Sequence, residues 1–189
     1  MRKVIYGLSV SLDGYVEDAQ GGLGWSYPDE ELHRHFNDRE RDFDVNLYGR
    51  RLYELMAAYW PTAEEDPALL DYEREYARIW KSKPKVVFSR TLDHVEWNSR
   101  LVRDHIAEEV NRLKNQPGKY MNVGGPGIVA TFMQLGLIDE YWLYVVPVVL
   151  GGGKPMFPPL TDRLQLQLVE TRKFSRGVVL LRYQPASAG

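Results

Sequence analysis

The chain has 189 residues, and 24 Lys+Arg against 26 Asp+Glu leave a formal charge of −2. That length bounds it to one domain of ordinary size, and the charge offers no electrostatic footprint for nucleic acid. With 44% hydrophobic residues and no cysteine, a soluble core is expected, while disulfide frameworks, zinc ribbons, thiol nucleophiles and dithiol redox chemistry are excluded; any electrons the protein moves come from a borrowed cofactor.

Met1-Arg2-Lys3 leads straight into a β-rich run from Val4 to Val10 without the apolar core of a signal peptide. No later stretch is long enough to span a bilayer, so a cytoplasmic protein with no membrane partner is expected. Ser11-Leu12-Asp13-Gly14 breaks the strand into a long loop carrying Gly21, Gly22, Gly24 and Pro28. Leu32 and Phe36 at i, i+4 predict an amphipathic helix from Asp29 to Asp42, and Val45 to Tyr48 a brief strand ended by Gly49. Leu52, Leu55, Met56 and Tyr59 form a helical stripe that stops at Trp60-Pro61. Asp66-Pro67 reads as an N-cap followed by proline at the first helical position, with Leu69, Tyr72, Tyr76 and Ile79 as the buried face.

Lys85 to Phe88 is the next strand and Val95 to Trp97 a further short one, followed by a helix through Val102, Ile106, Val110 and Leu113 capped by Asn98 or Ser99. Tyr120 to Val123 is a strand, Gly124 to Gly127 a turn, and Ile128, Phe132 and Leu135 the face of a helix ending at Gly136. Tyr141 to Leu150 is too continuous to have a wet face, which predicts a central strand covered on both sides. Leu164 to Phe174 and Val178 to Tyr183 flank Ser175-Arg176-Gly177 as an antiparallel hairpin. This alternation predicts an α/β fold with a mostly parallel sheet and an antiparallel edge, in one domain over residues 1–184 with a flexible tail at 185–189. Among Trp25, Trp60, Trp80, Trp97 and Trp142 most are expected in the core, and some against a flat ligand or partner.

In an open α/β sheet, ligands bind beyond the carboxyl ends of the strands. Four strand exits therefore stand out: Ser11 to Gly14, Gly49-Arg50-Arg51, Ser89-Arg90-Thr91 and Gly124-Gly125-Pro126-Gly127. The last runs a strand into a glycine cluster that opens a helix, leaving free N–H groups and a positive dipole end for a diphosphate; a tight turn that needs glycine is the other reading. Arg50 and Arg51 begin a helix, where an unpaired cation costs about 0.3–1 kcal/mol and a bound anion reverses the cost. Arg90 beside two hydroxyl residues suits a phosphate ester, and arginines near a nucleotide ribose favour NADPH over NADH. Asp13-Gly14 is also compatible with simple turn chemistry. A haloacid-dehalogenase-type Asp-x-Asp-Gly would need its nucleophile at Ser11, which opposes that rival. His33 and His35 point to different helix faces and His94 and His105 lack a carboxylate grouping, so no metal is expected. Neither a G-x-S-x-G elbow nor a Walker sequence is present.

Trp25 to Glu30, Tyr48-Gly49-Arg50-Arg51-Leu52-Tyr53-Glu54, Val87-Phe88-Ser89-Arg90 and Val123-Gly124-Gly125 follow in the order and spacing of the dihydrofolate reductase superfamily. Ser11 to Val16 and Pro147 to Gly153 resemble its branch related to the reductase domain of the bifunctional riboflavin-biosynthesis deaminase-reductase. The resemblance implies an NADPH-dependent reductase with a mixed sheet of about eight strands. It assigns Gly49, Arg50, Arg51, Ser89, Arg90, Gly124, Gly125, Pro126, Gly127 and Ile128 to the cofactor, with Leu52 replacing a threonine of the family's Gly-Arg-x-Thr segment. It also implies that the nicotinamide lies beside Val10 to Asp13, that Tyr15 and Trp25 face the substrate, and that Glu30 or Asp13 delivers the proton. A carboxylate beside such rings is expected to have a raised pKa. Two departures concern the substrate: Tyr15 stands where that branch has a basic residue, and Val123 where it has an acid. The leading expectation is hydride transfer from NADPH to a pterin-, folate- or aminopyrimidine-like molecule. The alternative is an NADP(H)-binding protein that has lost catalysis, and the apolar C-terminal strands allow a homodimer.

Overall fold

The computed structural model describes residues 1–186. In chain order it comprises β1 (Lys3–Ser11), β2 (Tyr15–Glu17), α1 (Glu30–Asp42), β3 (Phe43–Gly49), α2 (Arg50–Tyr59) and α3 (Asp71–Ser82). There follow β4 (Lys85–Phe88), β5 (Ser99–Val102), α4 (Ile106–Lys114), β6 (Tyr120–Gly124), α5 (Pro126–Gln134) and β7 (Glu140–Val146). The last elements are β8 (Lys154–Pro155), β9 (Leu166–Lys173) and β10 (Val179–Pro185). Eight strands form one sheet in the order β5-β4-β3-β6-β1-β7-β10-β9, and β2 and β8 form a separate two-stranded ribbon. From β5 to β7 every neighbouring pair is parallel, whereas β10 runs antiparallel to β7 and to β9. The fold is thus the expected α/β arrangement, with a mostly parallel mixed sheet and an antiparallel C-terminal edge.

Period-two alternation along the central strands divides the core. Val4, Tyr6, Leu47, Met121 and Val123 turn to one face and pack under α4 and α5 through Val110, Leu113, Val129 and Phe132. Ile5, Trp142 and Tyr144 turn to the other, against Leu32 of α1, while Tyr48 and Val87 meet Tyr53 and Trp80 from α2 and α3. β6 lies between β3 and β1, so the chain leaves β1 and returns with one strand position skipped. That skipped position is where an open α/β sheet leaves a crevice.

Several boundaries differ from the sequence reading. The third helix starts at Asp71, not at Pro67, because the Asp66 carboxylate accepts a hydrogen bond from Ala68 N (2.9 Å) and forms a turn; Glu73 then accepts from Leu70 N (2.9 Å) to open the helix. Residues 95–97 form a loop and the strand is Ser99–Val102, with Asn98 donating to Ser82 O (2.6 Å) instead of capping a helix. Val102 consequently belongs to β5, and α4 begins after His105. The seventh strand stops at Val146, since Pro147 has no N–H to give a neighbour. Leu55 and Tyr59 of the first apolar stripe and Leu135 of the last helix face are 56%, 51% and 48% exposed. Pro185 closes β10 and Ala186 N donates to Gln165 O (2.9 Å) where a flexible tail was expected, and 187–189 lie outside the described residues.

Candidate functional site

Strand register sets the floor of the site. Tyr48 pairs with Gly124 and Gly49 with Phe88, so the exits of β4, β3 and β6 finish side by side. Two helices therefore begin next to each other: α2 after Gly49 and α5 after Gly125, and neither N-cap carries a side-chain hydrogen bond. Pro126 at the first turn of α5 has no N–H, which leaves the amides of Gly127 and Ile128 as the free donors there. The close approach needs glycine. A Cβ on Gly125, whose φ is +102°, would lie 3.3 Å from Gly49 N, and one on Gly49 would lie 3.2 Å from Ile128 Cγ2. Leu52 fills the space over Gly124, where a Cβ would fall 2.5 Å from Leu52 Cδ2. Substituting leucine for threonine thus exchanges a hydroxyl for packing against the turn.

Around this cradle the expected cations gather at the surface. Arg50 donates to Glu54 (3.0 Å) and to Thr91 Oγ1 (3.0 Å), joining the exits of β3 and β4. Ser89 Oγ accepts from Thr91 N (3.2 Å) and Leu92 N (3.1 Å), which shapes the turn that presents Arg90. Arg90 is held by Asp104 at 3.1 Å with both side chains largely exposed, a pair that solvent weakens and a phosphate could replace. Arg51 is exposed and has no ion pair among the described residues.

A cavity of about 570 Å³ opens beside the cradle. Its walls include Gly7 and Leu8 of β1, Leu52 and Leu55 of α2, Asn122 and Val123 of β6, and Leu23 of the first loop. Arg51, Glu17 and Lys154 bring charge to it. The cavity meets β1 at Tyr6 to Leu8, because β6 pairs with β1 only as far as Tyr6↔Val123 while β1 continues beside β7 to Ser11. Val10 lies further along, 3% exposed among Val16 and Met156 in the core.

The expected substrate-side residues lie apart from the cavity lining. Asp13 accepts from Ser11 Oγ (2.7 Å), Leu150 N (3.1 Å) and Gly151 N (2.7 Å), tying the first loop to the segment after β7. The Ser11 hydroxyl, aided by those two amides, lowers the Asp13 pKa, opposite to the expected rise. Glu30 begins α1 as an exposed residue paired with Arg34 at 2.8 Å. The Trp25 indole donates to Gly22 O (3.2 Å) within the turn Gly24–Ser26, and Tyr15 is held through its amide by Ser11 Oγ (2.9 Å). Sequence reading missed Glu17, Leu23, Asn122 and Lys154. The polar–apolar–polar alternation Tyr15-Val16-Glu17 carried a weak strand signal that pointed to Glu17. Among the described residues there is no cluster of metal-binding side chains, and no helix is long and apolar enough to cross a membrane.

Comparison with known proteins bears on the family and the fold. The family described as RibD C-terminal domain matches residues 2–180. The uncharacterized protein YyaP of Bacillus subtilis (strain 168) is 42% identical over 183 residues, covering 96% of this chain and 94% of its own. A crystal structure from Shewanella sp. PV-4, assigned by name to riboflavin biosynthesis, superposes with a TM-score of 0.77 at 23% identity, covering 99% of this chain and 100% of its own. Dihydrofolate reductase from Enterococcus faecalis, solved with NADP(H), gives a TM-score of 0.64 at 11% identity over 98% and 97% of the two chains.

Proposed function

This chain belongs to the RibD C-terminal domain family, and from that premise we propose that it is an NADPH-dependent reductase acting on a pterin-, folate- or aminopyrimidine-like small molecule. One observation carries the proposal: two uncapped helix N-termini converge on Gly49 and Gly125, whose missing side chains leave a cradle beside a cavity. Such termini bind anions through free amides and the positive end of each helix dipole. The residues fit NADPH, which supplies a hydride when bound.

In this reading Gly124 to Ile128 and the first turn of α2 hold the diphosphate. Arg51 neutralises charge beside it, while Arg50, Ser89 and Arg90 hold the 2′-phosphate. Leu52 and Val123 exclude water from the reacting end of the cavity, which strengthens every electrostatic contact within it. Tryptophan quenching on NADPH titration, followed by NADPH oxidation assays with dihydrofolate and a phosphoribosylated aminouracil, tests the proposal. Saturable binding with turnover of either compound is expected; absence of NADPH binding would sink it. A second reading, a binding protein that no longer catalyses, is favoured by the engagement of Asp13 and Glu30 outside the cavity. Binding without oxidation of either compound would select it.

A further inference from the structure

We propose that Glu17 and Lys154 are the polar recognition element of the cavity, a cross-strand pair that takes a flat, neutral heterocycle offering an N–H to the carboxylate and a carbonyl to the ammonium. The proposal deepens the reductase reading and rests on it for taking this cavity as the substrate's. β2 and β8 pair antiparallel with Glu17 opposite Lys154, and both residues line the cavity, half-buried. Opposite charges at facing positions of an antiparallel pair ordinarily bond to each other. Here the register shifts between Tyr15 and Glu17. No ion pair within the usual distance joins the two side chains, and neither makes one with any other described residue.

The main chain holds this arrangement in place. Gly153, at a φ of +137°, lets β8 lie against β2, since any Cβ there would collide with the Glu17 carbonyl oxygen. On the other side, Met156 N donates to Gly14 O (2.9 Å), so the ribbon is tied at both ends. Two charges are therefore partly withdrawn from water and held near each other without a mutual bond. That state gives up part of its hydration with no protein partner in return, and a ligand lying between the two can supply one.

The surroundings narrow the ligand's chemistry. Leu23, Leu52, Leu55 and Val123 offer apolar surface for a ring, and the pair itself sums to zero charge. A phosphate at this point would meet the Glu17 carboxylate as a like charge, whereas an amide edge carries a donor and an acceptor side by side. The ligand is thus a lactam-bearing ring system, read by both poles at once.

Isothermal titration of lumazine, a pteridine dione, against dimethyllumazine, whose ring N–H groups are methylated, tests this on the whole chain with and without saturating NADP⁺. Lumazine should bind at least about tenfold more tightly, as expected when hydrogen bonds to charged groups are lost. Glu17→Gln and Lys154→Met should each weaken lumazine by about tenfold or more and leave NADP⁺ affinity unchanged, which also reports that the variants fold. The double exchange Glu17→Lys with Lys154→Glu should recover part of the affinity, because the amide edge can turn over. Unaltered lumazine affinity in both single variants, or no lumazine binding by wild type, overturns the proposal while NADP⁺ binding preserves the reductase reading. Failure to bind NADP⁺ overturns that reading, and the arms without nucleotide still decide the role of Glu17 and Lys154.

Discussion

Where the strands of the main sheet begin, a cavity of about 640 Å³ is lined by Arg2, Lys85, Arg100 and Arg112. Where the parallel strands finish, the cavity of about 570 Å³ is bordered by Arg51, Glu17 and Lys154. The first is slightly larger and richer in cations, yet each cation there already has a protein partner. Arg2 donates to Pro117 O (2.9 Å) and Gln116 (3.1 Å), and Arg100 and Arg112 share Glu109. Lys85 donates to Lys83 O and Trp97 O at 2.8 Å each, with its ammonium 4.1 Å from the centre of the Trp80 ring. At the other end the helix N-termini are uncapped and Arg51, Glu17 and Lys154 make no ion pair among the described residues. Volume therefore does not distinguish the two ends; charge without a protein partner does.

The sharpest way to break this contrast is Gly125→Val. It forces a side chain onto a backbone at φ +102° and into contact with Gly49, and the strain falls on the cradle. NADPH affinity, followed by fluorescence quenching, should drop by about 100-fold or more, since both helix N-termini are displaced. Lys85→Met at the other end should act on stability alone. It leaves the half-buried carbonyls of Lys83 and Trp97 without their donor and should cost about 1 kcal/mol or more in urea unfolding, with NADPH affinity unchanged.

A smaller effect is expected from Arg51→Gln, about tenfold weaker NADPH binding from loss of one charge-assisted contact. Arg112→Gln should leave NADPH binding as it is. The smallest effect is a pH dependence. Burial lowers the Lys85 pKa to about 8, so between that value and its ordinary one the unfolded chain binds more protons than the folded chain. Stability from this group consequently rises with pH above about 8, by roughly 1 kcal/mol between pH 8 and pH 9, and is not gained well below it. Lys85→Met should remove that rise; an identical slope in the variant would assign it to other groups.

The glycine cradle was legible in the sequence because its cause is local. A strand running into Gly124-Gly125-Pro126-Gly127, with Ile128 and Phe132 continuing at helical spacing, specifies an uncapped helix N-terminus without reference to the rest of the chain. Gly49-Arg50-Arg51 was legible for the same reason. The carboxylates were not. Asp13 bonds to amides at Leu150 and Gly151, so its engagement depends on a contact between distant parts of the chain. Glu30 looked available because its neighbours in sequence suggested a site, while the helical turn that brings Arg34 beside it gives it a surface partner.

Sequence by itself determined the alternation of strands and helices, the antiparallel end and the absence of thiol chemistry, because periodicity and composition act over a few residues at a time. It also located the glycine turn at the head of α5, since turn chemistry is written in consecutive residues. Tertiary structure alone decided that β6 lies between β3 and β1, which brings the two glycine caps together. It alone set Glu17 opposite Lys154, through a ribbon whose strands are too short to announce themselves and far apart in the chain. Strand order and cross-strand register arise from burial of the whole sheet, so the residues that face the cavity are chosen by packing at long range.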